Sequence, residues 1–108
     1  MEPVDIEGMV RVIVKEARPA RVFLFGSRAT GLETESSDVD FLIIDKDSFG
    51  PHRSRRKQLA RLWKALQIFP ISKDLLLYSE EEVQAWRNSK NHIISRALRE
   101  GKAVYGGP

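Results

Sequence analysis

The chain has 108 residues, 42% apolar and 31% charged, with a net charge of +3 and no cysteine. That is apolar material for one compact core, and the missing cysteines exclude disulfides, thiolate metal sites and thiol catalysis. No stretch approaches the roughly 18 apolar residues of a membrane span, and the acidic start Met1-Glu2-Pro3-Val4-Asp5 is unlike a signal peptide, so one cytoplasmic domain over 1–108 is expected.

Residues 4–17 place Ile6, Met9, Val10, Ile13, Val14 and Ala17 at helical spacing, and Arg18-Pro19 stops that helix. Arg21 to Phe25 reads as a strand buried on both faces, ended by Gly26. Residues 26–37 are small and polar with two glycines, a loop with room for one helical turn. Val39 to Ile44 is a second apolar strand, closed by Asp45-Lys46-Asp47-Ser48 and the turn signal Gly50-Pro51.

From Arg53 to Phe69, Leu59, Leu62, Trp63 and Leu66 mark one face of a helix, and Arg53, Lys57, Arg61 and Lys64 another; Pro70 ends it. Asp74 to Tyr78 is a third strand. Ser79 with Glu82 three residues on is a capping-box pattern. It starts a helix predicted to run to Gly101 with Val83, Trp86, Ile94, Ala97 and Leu98 inward. Val104-Tyr105 is a short last strand, and Gly106-Gly107-Pro108 a frayed end. The pattern is an α+β domain in two layers, a small mixed β-sheet flanked by helices.

The short connection between the first two strands favours antiparallel neighbours, which brings Gly26-Ser27 beside Asp38-Val39-Asp40 at one sheet edge. Residues two apart in a strand share a face, so Asp38 and Asp40 project side by side. Carboxylates that close repel unless a cation or proton lies between them. Hard oxygen ligands of this kind suit magnesium, and a paired site suits in-line phosphoryl displacement. Gly26 permits close backbone approach to a ligand, and Ser27 offers a hydroxyl and an N–H to a phosphate. Neither motif is specific alone; together, between two apolar strands, they are much harder to read as a plain turn and a solvated strand start. Of the other acids nearby, strand parity sends Asp45 to the face opposite Asp40, and Asp47 lies farther still along the chain.

The stretch Phe25-Gly26-Ser27 through Asp38-Val39-Asp40-Phe41, with ten residues between Ser27 and Asp38, resembles the signature of the DNA-polymerase-β-like nucleotidyltransferase superfamily. It is most similar to the minimal nucleotidyltransferases, over nearly the whole chain. The resemblance implies a third carboxylate, Asp74, although an apolar residue commonly precedes that acid and Lys73 does here. It implies that Asp38, Asp40 and Asp74 hold two Mg2+ ions against ATP while Gly26 and Ser27 hold the β- and γ-phosphates. It further implies an antitoxin that adds AMP to a tyrosine of a HEPN-domain RNase toxin.

Two rivals remain: an antitoxin that neutralises its partner by contact alone, and a nucleotidyltransferase acting on a small molecule or RNA. A homo- or hetero-oligomer is compatible with each. Arg28 reads as a solvated loop residue, His52 and His92 as surface or packing residues, and Trp63 and Trp86 as core. The stripe Arg53, Lys57, Arg61 and Lys64 reads first as a solvated helix face, with docking to an acidic protein or RNA phosphates as alternatives. No aromatic alternation points to base stacking, so direct nucleic-acid binding is not expected.

Overall fold

The computed structural model describes residues 4–34 and 37–106. Helix α1 (Ile6–Ala17) is followed by strand β1 (Arg21–Phe25), the short helix α2 (Ser27–Thr30) and strand β2 (Val39–Asp45). Helix α3 (Arg55–Ala65) leads through a 3-10 turn at Leu66–Ile68 to β3 (Lys73–Ser79); α4 (Glu80–Trp86), α5 (Ile93–Glu100) and β4 (Lys102–Tyr105) complete the order.

The sheet has four strands in the order β3-β2-β1-β4. β1 pairs antiparallel with β2 and with β4, whereas β2 and β3 run parallel. A parallel pair needs a long crossover, and α3 supplies it. Alternation along the strands sends Val22, Leu24, Val39, Phe41, Ile43, Leu75 and Leu77 to one side, where Met9 and Ile13 of α1 and Leu62 of α3 close the main core. Phe23, Leu42 and Ile44 face the other side, against Val83, Ile94 and Ala97. With both faces covered, β1 and β2 are nearly continuous apolar runs. Among the described residues no helix is long and apolar enough to cross a membrane.

Three expectations are corrected. The helix predicted from Ser79 to Gly101 is two helices. His92 caps α5 by accepting the Ile94 N–H at Nδ1 (3.1 Å), and the Ser95 hydroxyl donates to the carbonyls of Ser89 and His92. These bonds hold 87–92 as a turn that periodicity alone bridges. The helix predicted from Arg53 begins at Arg55, because Ser54 caps it by accepting the Lys57 N–H, and Arg53 pairs instead with Gly50. Trp63 and Trp86 are 36% and 47% exposed rather than in the core. Trp86 stacks on His92 with ring centroids 4.5 Å apart.

Candidate active site

The site is built where β1 ends. β1 and β2 pair with Phe25 opposite Asp40, and β2 pairs with β3 with Asp40 opposite Asp74. The two carboxylates are therefore rungs of one ladder on adjacent parallel strands. Asp38 lies two residues before Asp40, just ahead of β2, and is near enough for its charge to act on the Asp40 carboxyl. The Val39 N–H donates to the Ser72 carbonyl (2.9 Å), so pairing of the two strands is continuous through the acids. All three carboxylates lie at the sheet edge where Gly26 turns the chain.

Gly26 has φ 75° and ψ −160°, a conformation that only glycine adopts readily. It also lies directly over Asp40: a Cβ at this position would sit 2.4 Å from the Asp40 Oδ2. Two independent constraints thus select glycine, one from the backbone and one from the carboxylate beside it. Ser27 then opens α2 as its first residue.

The electrostatics of the edge are uncompensated. Burial pushes the Asp40 carboxyl above its ordinary 3.8, and the charges of Asp74 and then Asp38 push it further the same way. Among the described residues none of the three acids makes a salt bridge or a side-chain hydrogen bond. The nearest cation in sequence, Lys73, is committed elsewhere: its Nζ donates to the carbonyls of Phe69 (3.1 Å) and Ile71 (2.9 Å). This accounts for a lysine next to the third acid, since strand alternation sends it to the other face. Among the described residues no three His, Cys, Asp or Glu side chains are gathered into a ready-made cation site. The donor set (hard, anionic oxygens without a protein cation) fits a divalent ion such as magnesium.

Asp45 is removed from this edge. It is 2% exposed and pairs with Arg53 Nη2 at 2.6 Å, closing the 45–53 loop. Arg28, read from the sequence as a solvated residue, has a structural task. Its Nε and Nη2 donate to the Ser37 carbonyl (3.1 and 2.9 Å), clamping the loop immediately before Asp38 to the turn that carries Ser27. Its place directly after Gly-Ser was the available signal. His52 and His92 take no part in the acid edge. A groove of about 740 Å3 bordered by Val10, Leu24, Ala29 and Val104 lies on the opposite sheet face and contains none of the acids.

A model of the nucleotidyltransferase domain family matches residues 8–104. The chain belongs to that family. Comparison with curated proteins finds no match. Among solved structures, this nucleotidyltransferase domain is similar to a toxin–antitoxin crystal structure with AMP-PNP, at TM-score 0.59 and 20% identity over 94% of this chain and 74% of that one. It is also similar to a Tyr-to-Ala mutant of the toxin–antitoxin MntA-HpeT, at TM-score 0.62 and 19% identity over 93% of this chain and 72% of that one. A double Asp-to-Glu mutant of MntA-HpeT matches at TM-score 0.56 and 19% identity, over 93% and 73% of the two chains. At these identities the likeness establishes the fold.

Proposed function

We propose that the domain is a magnesium-dependent adenylyltransferase that moves AMP from ATP to a tyrosine of a HEPN-domain RNase toxin, and so acts as its antitoxin in the cytoplasm. The observation that carries this is the register of Asp40 with Asp74, beside Asp38 and under the Gly26-Ser27 turn. The similar solved structures agree with it, being toxin–antitoxin structures of which one contains an ATP analogue.

In this reading Asp38, Asp40 and Asp74 hold two Mg2+ ions. Bound there, magnesium would neutralise triphosphate charge and favour an in-line displacement. Gly26 leaves the backbone open to the β- and γ-phosphates, and the Ser27 hydroxyl and N–H donate to their oxygens. Arg28 is a positioning residue, holding Ser37 so that Asp38 and Ser27 face one substrate. Asp74 accepts the proton of the acceptor hydroxyl. The acceptor oxygen bonds to the α-phosphorus, the bond from that phosphorus to the bridging oxygen breaks, and pyrophosphate leaves.

The test is incubation with α-labelled ATP, magnesium and the product of the adjacent gene, the candidate toxin. Label is expected on that protein and absent with Asp38→Ala/Asp40→Ala. Persistent labelling by the double variant would overturn the site. Lost labelling with undiminished protection from the toxin would leave neutralisation by contact alone.

A further inference from the structure

The outer face of α3 takes no part in the acid edge, and at its margin Leu59 packs against the main core. Its first turn carries Arg55, Arg56 and Lys57 and no acid. That is the end where the helix dipole favours carboxylates over cations, so helix stability does not account for them. Two cations of α3 are answered within the chain, Arg55 by Glu82 (2.5 Å) and Arg61 by Glu16 (3.6 Å). The side chains of Arg56, Lys57 and Lys64 make no hydrogen bond or ion pair among the described residues.

Trp63 stands among these cations. With Leu59 one turn before it, Trp63 borders an open groove of about 530 Å3, whose other lining residues are Ala60, Arg55 and Arg56. The small Ala60 leaves the space between the larger side chains open. Arg55 is already held in place, its guanidinium 5.0 Å from the Phe49 ring centroid and 5.4 Å from that of Tyr78, besides its bond to Glu82. Lys57 and Lys64 are two turns apart and share the stripe next to the groove. Apolar floor, exposed Trp and preorganised Arg are the features that concentrate binding energy at protein interfaces.

We propose that this face of α3 docks an acidic amphipathic helix of the partner protein, with an apolar side chain between Leu59 and Trp63 and carboxylates on Arg56, Lys57 and Lys64. The inference rests on the proposed function in taking that partner to be the toxin the domain modifies. An amphipathic helix uses the apolar groove and the cations together. A polynucleotide would satisfy the cations but leave Leu59 and Ala60 unused, with a single Trp for stacking. A second copy of this chain would bring the same cations face to face and be repelled.

The test compares binding of the adjacent-gene product to the unaltered chain, to Trp63→Ala and to Arg56→Glu/Lys64→Glu. Each variant is expected to bind at least about tenfold more weakly, as for truncation of an interface anchor. Salt should shrink the charge-reversal loss, while ATP binding by the chain alone and its melting temperature match the parent. If Trp63→Ala does not fold, the charge variant decides, because Arg56 and Lys64 are exposed. Parent-like partner binding by the folded variants overturns the inference alone, provided the unaltered chain binds and labels the partner. Lost binding of a single-stranded oligouridine RNA, with partner binding retained, also overturns it. If the unaltered chain neither binds nor labels the partner, the functional reading falls and this one with it.

Discussion

The two ends of β3 treat their acids in opposite ways. At the carboxyl end, Glu82 Oε1 accepts the Ser79 N–H (2.9 Å) and hydroxyl (3.2 Å), and Oε2 accepts Arg55 Nη2. Burial pushes that carboxyl upward, but the Ser79 N–H and the Arg55 guanidinium outweigh it and hold Glu82 below the ordinary carboxylate range. At the amino end, Asp74 faces Asp40 with no salt bridge to either among the described residues, and Asp40 moves the other way. One cluster completes itself within the chain, as a capping box and ion pair that launch α4. The other is left short of positive charge, which is the condition for recruiting it from solution.

The largest expected contrast is in activity. Asp40→Asn should lower AMP transfer by at least about 100-fold, the counterpart of the several kcal/mol of charge stabilisation that a bound cation supplies. Glu82→Gln should leave the rate of transfer near that of the parent, because its contacts lie at the far end of β3; initial-rate assays on the two variants decide this. Equal losses would mean that the two clusters are not functionally distinct.

A smaller effect is expected at the glycine. Gly26→Ala meets both the positive φ and the Asp40 oxygen 2.4 Å from its Cβ. It should destabilise the chain by about 1–3 kcal/mol in denaturant melts. It should also weaken ATP binding, whereas Gly31→Ala, with nothing within 4 Å of its Cβ, should suffer only the backbone strain of its φ of 79°.

The smallest effect is in stability against pH, with opposite signs at the two ends. Asp40 has a raised folded-state value, so its stabilising contribution is full at low pH and is lost as pH rises past its ordinary 3.8 and through the raised value. Asp40→Asn should therefore melt above the parent at neutral pH, with the gap closing on acidification. Glu82 has a lowered value, so its contribution is present above its ordinary 4.5 and lost as pH falls through the folded-state value. Glu82→Gln should cost about 1 kcal/mol at neutral pH, as loss of a cap does, and little in acid. Saturating magnesium should reverse the order for Asp40 alone, since the ion binds only the chain that keeps its carboxylate. Thermal melts across pH, with and without magnesium, read all of these signs.

Much of this was legible in the residues. The apolar runs at 21–25 and 39–44, the Ser79-Glu82 cap and the spacing from Gly26-Ser27 to Asp38-Val39-Asp40 each follow from local patterns of period, turn chemistry and capping. The positions misread were those decided by tertiary packing or by particular side-chain bonds to the backbone. Trp63 and Trp86 sit at helical spacing with core residues, yet the helices roll so that Leu62, Leu66 and Val83 take the interior. The break at 87–92 depends on side chains of His92 and Ser95 bonding backbone that a periodicity count does not see.

By itself, then, the sequence determined the strands, the α+β class and the pairing of a glycine-serine turn with two acids, because those depend on residues close along the chain. Only the tertiary structure decided that Asp74 stands opposite Asp40 and that Asp45 is buried against Arg53. It also made Arg28 a clamp on Ser37. Strand register and the disposition of charge across adjacent strands are set by packing of both sheet faces at once, and no local pattern encodes them.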